Sequence, residues 1–235
     1  MTTPFAESWR KVAGSLRVHR DWLLTPHRAA LHEPTGTAVI ADLHLGYDRA
    51  RRRAGEAVPA LDLEDTVASL TDLFASHSVR RLVVAGDLVE NRAGSGLAGA
   101  FRSWLAGMGV ELTAVVPGNH DRGRSLEGLP CYREGFWLRG WQVVHGDGDL
   151  SAGHLVLGHF HPCLRWGHQV WAACYLVGAR HIILPAFSRD AKGVNVIGAG
   201  RWRAYRAAVI VGREVLDFGR LKTLDKTQII LDGEG

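Results

Sequence analysis

The chain has 235 residues, 46% of them apolar, and 28 Lys+Arg against 24 Asp+Glu give a formal net charge of only +4. A charge this small permits a polyanionic partner without demanding one, and the apolar share is that of an ordinary globular protein rather than of a disordered or fibrous chain. No segment approaches the about eighteen uninterrupted apolar residues of a membrane helix, and the first residues carry no signal-like apolar stretch. Cys131, Cys163 and Cys174 are odd in number and lack CxxC spacing, so neither a disulfide framework nor a thiolate zinc site is implied. The expectation is a cytoplasmic protein with unpaired thiols.

Taken in chain order, Thr37–Ala41 is a short β-capable run that breaks at Asp42. From Leu61 to Phe74 apolar residues recur at helical spacing among charged neighbours. Leu82–Ala85 is a second buried strand, ending at Gly86-Asp87, so strand, helix, strand opens the fold and predicts a parallel pair with a crossover helix. A second helix is expected over about 96–108, where Leu97, Phe101, Trp104 and Leu105 follow the i, i+4, i+7, i+8 pattern. The strand Leu112–Val116 is stopped by Pro117-Gly118. After residue 130 short strands dominate: Gly140–Val144, Leu155–Leu157, Ala172–Val177, His181–Leu184 and Ala207–Val211. No Pro-, Gly- or Ser-rich linker separates the halves, so residues 1–235 are expected to form one domain.

Each apolar run ends in a polar cluster: Asp42-x-His44, Gly86-Asp87, Gly118-Asn119-His120-Asp121, His145-Gly146-Asp147 and Gly158-His159-Phe160-His161. Strand ends deliver side chains to the carboxyl edge of a sheet, where open α/β folds place their sites. Asp42 and His44, two apart, would share a direction if strand geometry persisted, and His159 and His161 repeat that spacing. Carboxylates, neutral imidazoles and one amide oxygen make mixed N/O shells suited to borderline divalent ions such as Mn, Fe and Zn. Singly, each residue has a plainer role, Asp42 and Asp87 as turn or cap residues and His145 as a satisfied core histidine. Joint occurrence in this order is what argues for a metal site. Asp147, Asp149 and His154 are assigned to turn formation and packing, and His168 and His181 are left open.

The five blocks, D-x-H, G-D, G-N-H-[DE], H and G-H-x-H, together resemble the calcineurin-like metallophosphoesterase superfamily, over residues 42–161. The resemblance implies an α/β fold, a four-layer α/β/β/α sandwich of two mixed sheets. It also implies two divalent metal ions, manganese first, with iron or zinc as alternatives. Asp42, His44 and His161 would hold the first, Asp87 would bridge, and Asn119, His145 and His159 would hold the second. His120 would be the catalytic histidine, able to protonate a leaving alkoxide, with Asp121 behind it to fix its tautomer. The reaction expected is hydrolysis of a phosphate ester by a metal-activated water.

Ala41–Tyr47, Gly55–Pro59 and the later Leu184–Phe187 look like the small bacterial and archaeal phosphoesterases related to the SbcD nuclease, a group that includes the DNA-ligase-associated phosphoesterase. That likeness implies a manganese-dependent phosphodiesterase acting on DNA as an endonuclease linked to repair, with a helicase or ligase as a reasonable partner. The alternative within enzymes is a phosphodiesterase or phosphatase for a cyclic nucleotide or nucleotide sugar. A scaffold that has lost catalysis is the other class of function, against which stands the intact ligand set. Arg49, Arg52 and Arg53, in the run Arg49-x-Arg51-Arg52-Arg53, are candidate phosphate contacts along a nucleic-acid backbone. A solvated helix face paired with Asp48 and Glu56 accounts for them equally well. Among eight tryptophans, Trp104 falls on an apolar helical face; Trp166 and Trp171 are better placed to line the site, although packing is the favoured role for both.

Overall fold

The first sheet begins earlier than periodicity predicts. In the computed structural model, which describes residues 9–90, 96–121, 126, 128–150, 153–166 and 170–224, four short strands precede the run at Thr37. They are β1 (Arg10–Val12), β2 (Ser15–Val18), β3 (Trp22–Leu24) and β4 (Ala30–His32), joined as an antiparallel meander. Strands of three or four residues are too short to display an alternating pattern, so nothing in the local sequence announces them. Residues 1–8 and His168 lie outside the described residues.

β5 (Thr37–Ala41) pairs antiparallel with β4 and parallel with β6 (Arg81–Ala85), and β6 pairs parallel with β7 (Glu111–Val116). Between β5 and β6 run α1 (Tyr47–Arg53) and α2 (Leu63–Ser76), and between β6 and β7 runs α3 (Leu97–Gly107). The expected crossover units are therefore present. Asp62 starts α2 by accepting the Asp65 N–H at 2.7 Å, the usual use of an aspartate at an N-cap.

The second sheet is also mixed. β8 (Phe136–Leu138), β9 (Trp141–Val144), β10 (His154–Leu157), β11 (Pro162–Trp166), β12 (Val170–Val177), β13 (His181–Ile183), β14 (Val194–Asn195), β15 (Arg206–Val211) and β16 (Glu214–Arg220) make it up. Its parallel centre is β9-β10-β13. The long β12 pairs with β11 through its first half and with β15 through its second.

The two sheets face each other across one core. Val39, Ala41, Val83, Ala85 and Trp22 from the first sheet meet Val143, Val156, Val177, Ile182 and Ala208 from the second. The other side of the first sheet, through Ile40, Leu82 and Val84, is covered by Val67, Leu70 and Leu73 of α2 and by Phe101 and Leu105 of α3. Runs such as Thr37–Ala41, apolar on both faces, are what a strand between two apolar layers requires. Trp202 and Leu221 cover the outer face of the second sheet; among the described residues they come from a single 3-10 turn, Gly200–Trp202, and one helical turn at 221–224. The architecture is an α/β fold of two mixed sheets packed face to face, and Trp104 packs on the helical side as its spacing predicts. Cys131, Cys163 and Cys174 are unpaired. No helix among the described residues is long and apolar enough to cross a membrane.

Tyr175 of β12 ties the sheets together. Fully buried, it donates its hydroxyl to the carbonyl of Thr25 at 2.7 Å, with the Ala29 carbonyl at 3.2 Å, and both acceptors lie in the loop between β3 and β4. Tyr175→Phe is expected to lower stability by about 1–2 kcal/mol, whereas Gly99→Ala in α3, where an added Cβ meets open space, should raise it by about 0.5–1 kcal/mol. Urea unfolding monitored by circular dichroism checks both, as shifts of midpoint at unchanged slope.

Candidate metal centre

The carboxyl ends of β5, β6 and β7 lie along one edge of the first sheet, and those of the parallel pair β9 and β10 along the second. Asp42, Asp87, the Gly118–Asp121 turn, His145 and His159 follow those five ends in turn. The segments after β5 and β6 are stitched together by backbone hydrogen bonds, Asp42 N–H to Gly86 O at 3.1 Å, His44 N–H to Asp87 O at 2.8 Å and Glu90 N–H to Leu45 O at 2.9 Å. This zipper brings residues some forty positions apart into register.

The geometry that aligns Asp42 and His44 is not that of a strand. β5 ends at Ala41, and both residues adopt left-handed backbone conformations, φ 54° and 50°. Asp87, His159 and His161 do the same, at φ 44°, 68° and 44°. Such conformations cost a non-glycine residue about 1 kcal/mol or more each and concentrate at functional sites. Two glycines make the close approach possible. A Cβ on Gly118 would strike the Asp87 carboxylate, and one on Gly158 would come within 2.5 Å of both Asp42 Oδ2 and Ala41 Cβ.

Two buried carboxylates lie among imidazoles at the centre. Asp42 Oδ2 is 3.4 Å from His161 Nε2 and accepts the His159 N–H at 2.8 Å, while Asp42 Oδ1 is 3.4 Å from His145 Nε2. Asp87 Oδ2 lies 3.6 Å from His145 Nε2 and 3.9 Å from His44 Nε2, and Oδ1 accepts the His120 N–H at 2.8 Å. Asp42, His44 and His161 thus form one group whose ligand atoms can share an ion, and Asp42, Asp87 and His145 form another. Asp42 belongs to both. His159 stands edge-on to His145, ring centres 4.6 Å apart, and Asn119 is exposed at the rim.

The electrostatics match the geometry. Burial alone would raise the Asp42 pKa, yet the His145 and His161 rings beside it bring it down to about 2. Burial likewise disfavours a charged His145, but Asp42 and Asp87 outweigh it and lift that ring to about 10. Burial, with repulsion from His145, pushes His159 down toward the neutral form that a metal needs. Asp42 Oδ1 and both nitrogens of His145 are buried with no hydrogen-bond partner; Asp147, at 3.4 Å from Nδ1, is too poorly aligned to provide one. Buried polar atoms without partners are rare and call for a ligand. Two carboxylates, a cluster of imidazoles and unsatisfied donor atoms at one point fit a divalent cation of the Mn, Fe or Zn kind.

The partner expected for His120 is Asp121, and here the structure differs. Asp121 accepts the backbone N–H groups of Leu88, Val89 and Gly118 at 3.1, 3.2 and 3.0 Å, which pins the loops to one another. The carboxylate beside the His120 ring is Glu90, which sequence reasoning missed. One oxygen of Glu90 faces His44 Nδ1 at 2.9 Å and the other faces His120 Nδ1 at 3.3 Å. As the acceptor, it keeps the proton on Nδ1 of His44 and leaves Nε2 to bind a metal. The available signal was a lone acid three residues after Asp87 in an otherwise apolar Leu88-Val89 step.

Arg49, Arg52 and Arg53 are exposed on α1, the helix that begins three residues after His44. Arg51 pairs with Glu56 as the solvated-face reading has it, but Asp48 is buried and accepts the Leu61 N–H instead. His181 bonds Tyr205 through Nδ1 at 2.7 Å, and His154 packs at a tilt against Trp141, ring centres 4.9 Å apart, so neither joins the centre.

Taken together, the fold and the donor set are those of a two-sheet α/β protein with a carboxylate–imidazole centre at the sheet edges. No protein-family model and no curated protein matches the chain. Among solved structures it is similar to the nuclease MPE of Pseudomonas putida, with a TM-score of 0.70 and 21% identity over 89% of this chain and 98% of that one. At that identity the likeness establishes the shared fold.

Gly158→Ala should reduce Mn affinity at least about tenfold by displacing the Asp42 carboxylate, since near-ångström shifts of a ligand are not absorbed by a close-packed shell. Isothermal titration with Mn measures the loss, and Gly107→Ala, whose Cβ meets open space, is the control.

Proposed function

We propose that the chain is a divalent-metal-dependent phosphodiesterase of the calcineurin-like metallophosphoesterase kind, acting on DNA. The observation that carries the reading is the gathering of His44, His145 and His161 around the two buried carboxylates Asp42 and Asp87, with the His120 N–H on Asp87 and with unsatisfied ligand atoms among them. A neighbour that is itself a nuclease supports the choice of substrate.

In this reading Asp42, His44 and His161 would hold one cation, Asn119, His145 and His159 would hold a second, and Asp87 would serve both. When bound, such ions acidify a water and stabilise the charge that develops on the phosphoryl oxygens. Asp42 and Asp87 supply the negative charge that retains the ions. The half-buried His120, its Nδ1 held by Glu90, turns Nε2 to the departing oxygen and delivers a proton there. Glu90 orients His44 and His120 together, so ligand and acid share one anchor. Arg49, Arg52 and Arg53 extend the contact along the phosphate backbone. Manganese is the ion we favour, and by the same resemblance the setting is DNA repair, with a helicase or ligase partner.

Hydrolysis of bis-p-nitrophenyl phosphate, p-nitrophenyl phosphate and supercoiled plasmid by stripped protein with Mn added tests the reading. Diester and plasmid should be cut, and the monoester turned over more slowly. His120→Ala should lose about 10²- to 10⁴-fold in kcat, the range for removal of a general acid, while retaining Mn. Asp42→Asn should lose both. Absence of Mn-dependent turnover, or a preference for the monoester, would defeat the proposal.

A further inference from the structure

Beside the metal centre lies a cavity of about 130 Å³ whose wall includes His161 itself, together with Arg28, Arg189, Trp171, Cys163 and Pro185. Its lining contains no carboxylate. Arg28, half-buried, donates Nη1 to the carbonyls of Ala186 and Ser188, each at 3.0 Å. The same loop gives its own Phe187 and Ser188 N–H groups to the carbonyls of Ala41 and Asp42. Arg28 is thus tied through one short loop to the first metal-ligand segment, at a fixed position. Neither Arg28 nor the exposed Arg189 has an ion-pair partner among the described residues. Asp65 and Asp190 line a neighbouring cleft that Arg28 and Arg189 also border, and neither acid forms an ion pair with them among the described residues.

Two guanidinium groups bordering one cavity, Arg28 with only carbonyls as its partners, form a site that an anion would complete. Burial pushes the Arg28 pKa down, and the charge of Arg189 adds to that effect. A phosphate, which arginine grips through charge-assisted paired hydrogen bonds, is the chemistry that relieves both. At the lip stands Trp171, 54% exposed on β12. Its indole is open to water on a strand buried beyond it, where the sequence favours packing, and an exposed aromatic face beside a phosphate-binding cavity is able to stack on a base.

We propose that this cavity receives the phosphate adjacent to the scissile one, held by Arg189 and Arg28, while Trp171 stacks on the base that phosphate carries. The inference rests on the phosphodiesterase reading and narrows it. The substrate is a polynucleotide segment whose bases are unpaired, since a base within a duplex cannot stack on Trp171, and a cyclic nucleotide has no second phosphate to offer. Arg28 serves as an anion contact and a loop anchor at once. Arg189 and Trp171 are the separable pair.

Fluorescence anisotropy of a labelled oligothymidylate, with the Mn-loaded His120→Ala protein as the non-cleaving parent, tests it. Arg189→Ala and Trp171→Ala should each weaken binding by about tenfold, in line with the loss of one charge-assisted contact or one stacked base. Arg189→Ala should also flatten the dependence of log affinity on log salt by about 0.7, the value for one phosphate of a single strand. Arg189→Lys should recover part of the salt slope, and a duplex should bind all the proteins alike. In the cleaving background, kcat/KM should fall much further on the oligonucleotide than on bis-p-nitrophenyl phosphate. Unchanged oligonucleotide affinity in both variants, equal losses on duplex and single strand, or no binding by the parent would overturn the subsite. Failure of wild type to cleave any diester with Mn would instead remove the phosphodiesterase reading, and the binding arm would still decide the subsite.

Discussion

Everything at the sheet edge depends on one buried carboxylate, that of Asp42. It is fully buried, and the groups within reach are the His145 and His161 rings and the His159 N–H. An ionised carboxylate can be buried only where opposite charge and hydrogen bonds replace its water. The imidazoles brought up to it come from the second sheet, from the segments after β9 and β10, so satisfying Asp42 also docks one sheet's edge on the other. Removing one member of a buried ionic set leaves the remainder uncompensated, a loss of about 3–5 kcal/mol in comparable cases. The centre is therefore a structural clasp as well as a candidate site of chemistry.

The same requirement explains the local backbone. Polar side chains on five chain segments can meet at one edge only if the chain turns sharply on leaving the strands, and at three of the five exits the turn is made with positive φ, at Asp42 and His44, at Asp87, and at His159 and His161. Strain of this kind persists because the surroundings overdetermine it. The backbone zipper between the β5 and β6 exits, the three N–H groups collected by Asp121 and the close packing at Gly118 and Gly158 are those surroundings. Asp121 thus stabilises the loops that carry the ligands, and Glu90 orients two of the rings.

Around this rigid centre the chain presents two basic features of different kinds. Arg49, Arg52 and Arg53 project into water from α1, where contacts are adjustable and screened by salt. Arg28 and Arg189 instead flank a cavity that His161 helps to line. The first kind suits loose attraction of a polyanion, and the second, on the proposed reading, suits recognition of one phosphate beside the metal centre. Both follow from position relative to the clasp rather than from net charge, which is only +4.

By itself the sequence determined the parallel strand–helix–strand core and the polar clusters that end its strands, because both are written locally. Apolar runs such as Thr37–Ala41 and Leu82–Ala85 must be buried on both faces, the helical spacing in α2 and α3 is periodic, and the clusters that end these runs are contiguous. The meander β1–β4 was not legible, since strands of three or four residues carry no periodicity and exist through pairing with one another and, by β4 alone, with β5. Nor was Glu90's place between His44 and His120, or Arg28's beside Arg189 and Trp171. These juxtapositions join residues 30 to about 160 positions apart, and only tertiary packing sets the distance between side chains that local sequence leaves independent.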